Sequence, residues 1–369
     1  MAYREKIRVG LIGAGRIGQL HAEHLATRIP GVELAAVADV NLAAAQATAA
    51  RFDVPTAVAD YRALLDDRTI RAVAICSTTD THASITQDAA SAGKHIFCEK
   101  PIDFDLQRID QTLAAVERAG VKFQVGFNRR FDANFRRVRD MVAEGKVGVP
   151  HILRITSRDP EPPPIDYVKV SGGIFLDMTI HDFDMARYLM DEEVSEVYTA
   201  GAVLVDPGIG EAGDVDTALI TLRFANGAIG AIDNSRRAVY GYDQRVEVFG
   251  SAGMVTVSNN VPDTHVYSNA DGIHAALPLY FFIERYAESY LAEMRAFIDC
   301  IQDDTPPPVT GVDGRVAVVM GLTARTSYLE NRPVKLSEVT ALTPGPSPVA
   351  DDPAGRGASS RRGERAVNA

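Results

Sequence analysis

The stretch that decides the fold is IRVGLIGAGRIG, residues 7–18, in which a short apolar strand runs directly into three spaced glycines. The first glycine permits a tight turn, the second lets the backbone approach a pyrophosphate, and the third allows the next helix to pack closely. The amino terminus of that helix adds partial positive charge at the same place. The stretch therefore predicts a dinucleotide-binding turn, formed by Gly13, Gly15, Arg16, Ile17 and Gly18.

The second strand, VELAAVAD at residues 32–39, ends in an acidic residue. Asp39 lies about twenty residues beyond the glycines, where a carboxylate accepts hydrogen bonds from the ribose of a bound adenosine. A 2′-phosphate would be repelled by Asp39, and no arginine follows directly to hold it, so NAD is the predicted cofactor. The alternative interpretation is a glycine turn in an α/β protein that binds nothing.

The pattern of strands and helices changes once along the chain. Up to about residue 150, short apolar runs alternate with alanine-rich helical patterns, which predicts a Rossmann-type parallel sheet covered on both faces. Beyond it, longer strands follow one another through hairpins, as at Asn226 and Gly227, and predict an α/β domain with an open, mostly antiparallel sheet. Further helices are predicted near residues 174–190, 281–303 and 312–329, the last of which is expected to pack back on the first domain.

Three regions follow from this change of pattern. Residues 1–150 are predicted to form the NAD-binding domain, and residues 151–340 a second domain that carries the substrate. Residues 341–369 are rich in Pro, Gly, Ser and Arg without a periodic apolar face, so this tail is expected to be disordered.

Composition excludes several classes of protein. Of 369 residues, 46% are hydrophobic and 24% charged, which is ordinary for a folded chain and rules out wholesale disorder. The net charge of −11 opposes nucleic-acid binding, so small molecules are the expected partners. No apolar stretch approaches the roughly 18 residues of a membrane helix, and no signal-peptide core follows the first methionine, so a cytoplasmic location is expected.

Two segments follow strands of the predicted parallel sheet and should meet at its ligand-binding edge. Glu99 and Lys100 end the strand HIFC, where Lys100 could reach both nicotinamide and substrate. The alternative for this pair is an exposed salt bridge. The segment STTDTH opens a helix and offers Thr78, Thr79 and His82 to the cofactor, although it could equally be a capped helix start.

The stretch GGIFLDMTIHDFD, residues 172–184, carries the candidate base. Asp177 and His181 are four residues apart, hence neighbours on one helical face, and a carboxylate beside an imidazole can orient it and raise its basicity. His181 is therefore a candidate proton acceptor. Two alternatives remain open: a structural polar pair, and a metal site made of Asp177, His181, Asp182 and Asp184.

The order GAGRIG, EKP, QVGFNRRFD and GGIFLDMTIHDFD resembles the Gfo/Idh/MocA oxidoreductase family over roughly residues 6–338, and its last two stretches resemble the inositol dehydrogenases within it. The resemblance implies a Rossmann domain followed by an α/β domain whose open sheet mediates oligomerisation, usually a tetramer. It implies Lys100, Asp177 and His181 as the catalytic set: the lysine hydrogen-bonds the reacting hydroxyl, the histidine takes its proton and the aspartate orients the histidine. Arg130 and Asp159 match regions that line the substrate pocket.

The function implied by this resemblance is NAD-dependent oxidation of myo-inositol to 2-keto-myo-inositol, with no metal. Another inositol isomer or an aldopyranose would need the same chemistry. A protein of a different class, a catalytically silent dinucleotide sensor, could use the same fold. The joint presence of Lys100, Asp177 and His181 argues against such a sensor, which needs none of them.

Overall fold

The structure is a computed structural model that describes residues 6–341. The predicted disordered tail lies outside the described residues, except for Ala341, which ends the last helix. None of the helices within the described range is long and apolar enough to cross a membrane.

The first domain is built on a parallel sheet. Its strands are β1 (Ile7–Ile12), β2 (Val32–Ala38), β3 (Thr56–Val58), β4 (Ala72–Ile75), β5 (His95–Glu99) and β6 (Phe123–Gly126). They lie in the order β3-β2-β1-β4-β5-β6, and every pairing between them is parallel. The central strands are apolar along their whole length because helices cover both faces of the sheet. The predicted Rossmann-type sheet is confirmed.

Helices join these strands. They are α1 (Arg16–Glu23), continued by a π-helical turn (His24–Arg28), α2 (Leu42–Arg51), α3 (Arg62–Asp66), α4 (Thr79–Ser91) and α5 (Leu106–Ala119). After β6 come a short 3-10 helix (Asn128–Phe131) and α6 (Ala133–Ala143). Because the strands are parallel, the turns that follow β1, β2, β4, β5 and β6 meet at one edge of the sheet.

The second sheet is mixed and mostly antiparallel, as predicted. Its strands are β7 (Pro150–Arg158), β8 (Val194–Ala202), β9 (Thr217–Phe224), β10 (Ile229–Ser235), β11 (Asp243–Gly250), β12 (Gly253–Val257) and the short β15 (Val334–Lys335). Before β15 in the chain, β13 (Val266–Asn269) and β14 (Gly272–Ala275) form a separate hairpin. The order is β12-β11-β7-β10-β9-β8-β15, and only β7 and β10 run parallel. Side chains of β9 alternate between buried and exposed, so one face of the sheet is uncovered.

The remaining helices cover the other face and connect the two domains. They are α7 (Ile165–Val168), α8 (Gly173–Asp177), α9 (Thr179–Met190), α10 (Pro207–Glu211), α11 (Phe282–Gln302), α12 (Gly311–Glu330) and α13 (Leu336–Ala341). Apolar residues of α11 join a core with β1 and β2 of the first sheet. Residues of α12 join a second core with β4, β5 and α5. The carboxyl-terminal part of the chain thus completes both faces of the amino-terminal domain.

The helix predicted over 174–190 is broken into α8 and α9 at Met178, whose backbone angles are φ −96° and ψ −60°. At the break, the carbonyl oxygen of Asp177 accepts a hydrogen bond from Nζ of Lys100 at 2.7 Å. A carbonyl turned toward a lysine of the other domain does not continue a regular helix. The break therefore belongs to the junction between the domains.

Candidate active site

The glycine turn after β1 has the form that a dinucleotide needs. Gly13 has φ +98°, and a Cβ there would lie 2.5 Å from the carbonyl of Cys76. A Cβ on Gly18 would lie 1.9 Å from the carbonyl oxygen of Gly13. At exposed Gly15 a Cβ would meet nothing within 4 Å. Packing thus requires two of the glycines, while the third leaves open space beside the start of α1, which fits a pyrophosphate.

Asp39 is oriented by the backbone of this turn. Its Oδ2 accepts a hydrogen bond from the amide of Ala14 at 2.7 Å, and its Oδ1 accepts one from the amide of Asn41 at 2.8 Å. A carboxylate oxygen has lone pairs for more than one donor, so both oxygens can still accept from a ribose. The residues around the turn therefore fit NAD.

The start of α4 lies at the same sheet edge, and its histidine contacts two backbone carbonyls. Thr78 and Thr79 begin the helix, with Thr78 exposed. Nδ1 of His82 lies 2.8 Å from the carbonyl oxygen of Pro101, and Nε2 lies 3.0 Å from that of Ser77. Both ring nitrogens of His82 therefore join two loops, and a contact of His82 with the cofactor stays a prediction. Burial opposes its charge, but Cys98 and the two carbonyls raise the pKa of His82 to about 9.

Lys100 reaches from the first domain into the second. Besides its bond to the carbonyl of Asp177, its Nζ lies 3.6 Å from Oδ1 of the same residue. The preceding Glu99 is held by His21 of α1, with Nε2 to Oε1 at 2.9 Å. Neither Glu99 nor Lys100 is part of an exposed salt bridge, the alternative considered for this pair, since both side chains are at most 15% exposed.

Behind Glu99 lies a buried group of possible metal ligands. His21, Glu99 and Glu293 each place one ligand atom within 4.8 Å of the others. Both carboxylate oxygens of Glu293 are buried without a hydrogen-bond partner among residues 6–341. Burial and the neighbouring Glu99 hold the pKa of Glu293 well above its usual value.

Asp177 is surrounded by cations and donors. The hydroxyl of Tyr167 donates to Oδ1 at 2.9 Å, and Nη1 of Arg236 donates to Oδ2 at 3.0 Å. Burial opposes ionisation of Asp177, yet Lys100 and Arg236 outweigh it and hold its pKa below the usual value. Asp177 is therefore ionised at neutral pH.

His181 stands apart from Asp177. Within residues 6–341 its Nδ1 has no hydrogen-bond partner, and its ring packs edge-on against Phe127 with centroids 5.9 Å apart. The four-residue spacing predicts a bond between Asp177 and His181, but the described chain holds none, because the helix breaks between them and Asp177 binds Tyr167 and Arg236 instead. Burial, followed by Lys100 and Arg129, lowers the pKa of His181 well below 6.5, so its imidazole is neutral.

Asp159 belongs to the same cluster. It follows β7, and its Oδ2 lies 3.5 Å from Nη1 of Arg236. Burial raises the pKa of Asp159 to about 6, against the opposing effect of Arg236 and with the support of Asp177. The two carboxylates thus share one arginine, and Asp159 is the one that titrates near neutrality.

The two arginines after β6 have different surroundings. Arg130 donates from Nε and Nη2 to Asp184, and from Nη2 to Asp313 at 3.0 Å. It therefore joins α9 to α12, and its place in the substrate pocket stays a prediction. The buried Arg129 donates a hydrogen bond to Asp182 at 2.6 Å. Its charge also interacts with that of Asp159 and helps to lower the pKa of His181.

The alternative metal site made of Asp177, His181, Asp182 and Asp184 is not assembled in the described chain, because three of its members bind arginines. Arg129 forms an ion pair with Asp182, Arg130 with Asp184 and Arg236 with Asp177. Sequence reasoning missed Arg236 and Tyr167. Arg236 lies 59 residues from Asp177, and no short-range spacing connects the two.

Two family profiles match most of the described chain. One, described as an oxidoreductase family with an NAD-binding Rossmann fold, matches residues 7–127. The other, described as a GFO/IDH/MocA C-terminal domain, matches residues 135–256.

Several similar proteins are named as inositol dehydrogenases. A myo-inositol 2-dehydrogenase of Thermotoga maritima is 50% identical over 90% of this chain and 99% of that protein. An inositol 2-dehydrogenase of Rhizobium meliloti is 45% identical over 90% of this chain and 99% of its own. Among solved structures, a scyllo-inositol dehydrogenase from Lactobacillus casei with bound NAD(H) and scyllo-inositol has a TM-score of 0.85 and 29% identity, covering 90% of this chain and all of the other.

Proposed function

Because the chain belongs to the GFO/IDH/MocA oxidoreductase family, we propose that it is an NAD-dependent dehydrogenase that oxidises one secondary hydroxyl of myo-inositol to 2-keto-myo-inositol. The contact that carries this proposal is the one between Lys100 and Asp177, which joins the cofactor domain to the second domain. A polyol needs hydrogen-bonding side chains of mixed charge, and this cluster supplies them.

The cofactor would be held by the glycine turn, by the amino terminus of α1 and by Asp39, with Thr78 and Thr79 beside it. When bound, NAD supplies the hydride acceptor at C4 of its nicotinamide. The residues of the chain bind and orient the polyol and move its proton.

Lys100 hydrogen-bonds the reacting hydroxyl. Its Nζ is fixed by the carbonyl of Asp177, and two of its three donors remain available because that bond uses one. A cation beside the hydroxyl stabilises the negative charge that develops on its oxygen as the proton leaves.

His181 accepts that proton. Its imidazole is neutral because burial and the nearby cations disfavour the charged form, so a nitrogen lone pair is available at neutral pH. In this proposal Asp177 acts through Lys100, which it holds in place, since it makes no bond to His181 in the described chain. Asp159 accepts a hydrogen bond from a second hydroxyl of the ring.

A second candidate keeps this chemistry and changes the isomer. It is favoured by the structural match to a scyllo-inositol dehydrogenase, and an aldopyranose would need the same set of donors and acceptors. The silent sensor is disfavoured because an unpaired neutral histidine beside a buried lysine serves proton transfer and not dinucleotide binding.

The uncovered sheet face supports assembly into a homo-oligomer, which we propose to be a tetramer. Leu219 is 61% exposed and Ile229 47% exposed on this face, beside Tyr198 and Ile152. Charged side chains such as Arg154 and Arg223 share this face, and exposed apolar side chains rimmed by polar ones are typical of an interface between subunits.

The function is tested by the near-ultraviolet absorbance of reduced NAD. Purified protein is mixed with NAD and with myo-, scyllo- or D-chiro-inositol, glucose, lactate or malate. We expect turnover with myo-inositol and little with the hydroxy acids, because Arg129, Arg130 and Arg236 of the described site are each ion-paired with a carboxylate. Much higher efficiency with an aldose or a sugar acid would overturn the substrate assignment.

A further inference from the structure

Arg236 lies at the centre of the site and is absent from the predicted catalytic set. It follows β10 directly and is 2% exposed. Its Nη1 contacts Oδ2 of Asp177 at 3.0 Å and Oδ2 of Asp159 at 3.5 Å, and its backbone amide donates to the carbonyl of Asp216. One guanidinium nitrogen therefore joins the residue that holds Lys100 to the residue proposed to bind a second hydroxyl.

We propose that Arg236 is a positioning residue that fixes the carboxylates of Asp177 and Asp159, and through Asp177 the Nζ of Lys100, in the arrangement that a polyol requires. This inference rests on the proposed function. Arg236 acts through Asp159 and, by way of Asp177, through Lys100, the two residues that are proposed to bind hydroxyls of the substrate.

Charge balance shows why the cluster needs this residue. Two carboxylates come together here, and Asp177 disfavours ionisation of Asp159. Other titratable or charged groups that act on Asp177, Asp159 or Arg236 are Lys100, Tyr167, Arg129 and Asp214. Without Arg236, one carboxylate would take up a proton, because like charges in a buried site do not both stay ionised. A protonated carboxyl would then compete with Lys100 and the substrate as a donor.

Several contacts hold Arg236 in one position. It is clamped by its backbone bond to Asp216 and by the two carboxylates, while its Nε and Nη2 are buried without partners in the part of the chain that the structure describes. These contacts hold the guanidinium of Arg236 between the two carboxylates.

The neighbouring Arg237 offers a matched control, because it has the same charge one position along the chain and is exposed. We would compare Arg236→Gln, Arg236→Lys and Arg237→Gln in the full-length protein. Arg236→Gln should lower kcat by about 10² or more, since misplaced catalytic groups lose such factors. KM for NAD should stay within about twofold, and Arg236→Lys should recover at least tenfold by restoring the charge. Arg237→Gln should behave as wild type.

Equal kcat for Arg236→Gln and Arg237→Gln would overturn the inference. If Arg236→Gln fails to fold, the double variant Asp159→Asn with Arg236→Gln removes one negative charge together with the positive one. That variant should fold, shown by a cooperative thermal transition, and should be slower than Asp159→Asn alone, because Asp177 and Lys100 also lose their support. Equal kcat in the double variant and in Asp159→Asn would equally overturn the inference.

A measurement without substrate separates this inference from the proposed function. Carbon-13 NMR of labelled aspartate follows the titration of Asp159 and Asp177 in wild type and in Arg236→Lys and Arg236→Gln. We expect the carboxyl titrations to move to higher pH in Arg236→Gln and to stay near wild type in Arg236→Lys. Unchanged titration in both would refute the role of Arg236 even in an active enzyme, whereas a wild type inactive on every polyol would refute only the proposed function.

Discussion

The carboxylate of Asp39 is held by two backbone amides, and we propose that it binds the ribose of NAD and so determines cofactor choice at a single residue. We expect NAD to be preferred over NADP by roughly 10² to 10³ in kcat/KM, because like charges brought into contact cost several kcal/mol. Replacing Asp39 with Ser and the neighbouring Val40, which is 96% exposed, with Arg should relax this preference. Equal efficiency of the unmodified enzyme with both cofactors would show that Asp39 does not face the ribose.

His181 should be separable from cofactor binding. His181→Ala is expected to lower kcat by roughly 10² to 10⁴, the usual share of a positioned base, while leaving the dissociation constant of NAD nearly unchanged. His265→Ala, at an exposed histidine near the hairpin, is the control. Near-normal turnover of His181→Ala at neutral pH would transfer the base role to another group.

Asp159 should set the acid limb of the pH profile. Its pKa is raised to about 6, so the carboxyl is protonated and can donate below that pH, and it becomes a charged, acceptor-only group above it. The pKa of His181 lies well below its usual value, so the imidazole remains neutral throughout this range. We expect kcat/KM for the polyol to fall as the pH drops through about 6, and Asp159→Asn to be slow and to lose this dependence. A limb that persists in Asp159→Asn would assign it to another residue.

Among the elements, the start of α12 is held by several hydrogen bonds and ion pairs of one residue, Asp313. Asp313 accepts from the amide and hydroxyl of Thr310 in a capping box, and its other oxygen accepts from Arg130 and Arg187. Asp313→Ala should lower the free energy of unfolding by roughly 2 to 3 kcal/mol, combining a lost cap with part-buried ion pairs. Urea unfolding measures this, with Glu211→Ala at an exposed position as control. A loss below about 0.5 kcal/mol would mean that α12 is anchored elsewhere.

The elements also show which parts of the site the sequence could predict. The glycine turn, Asp39 and the ends of the parallel strands follow from local patterns, because each motif specifies its own backbone. The break at Met178 and the contacts of Arg236 and Tyr167 come from pairings between distant segments, which no periodicity encodes. For this reason the spacing of Asp177 and His181 predicts a hydrogen bond that the described chain does not contain, and the catalytic roles of the two residues stay predictions.

For the whole molecule, the uncovered face of the second sheet predicts the state of assembly. Leu219→Arg should convert the proposed oligomer into smaller species, because it replaces an exposed apolar side chain by a charged one that the interface would have to bury. Leu329→Arg, at another exposed leucine on α12, should leave the assembly unchanged. Light scattering after size-exclusion chromatography gives the mass of each. A wild-type monomer would remove the interface from the proposal.

The carboxyl-terminal helices that complete the first domain also bear on its synthesis. The glycine turn and all six parallel strands are complete once about residue 127 has been synthesised. The helices α11 and α12, which cover apolar faces of this sheet, are complete only when synthesis reaches Glu330. At elongation rates of about 5 to 20 residues per second, this delay amounts to roughly ten to forty seconds. During that interval the nascent nucleotide domain presents bare hydrophobic surface, which makes it a natural client for chaperones that bind growing chains.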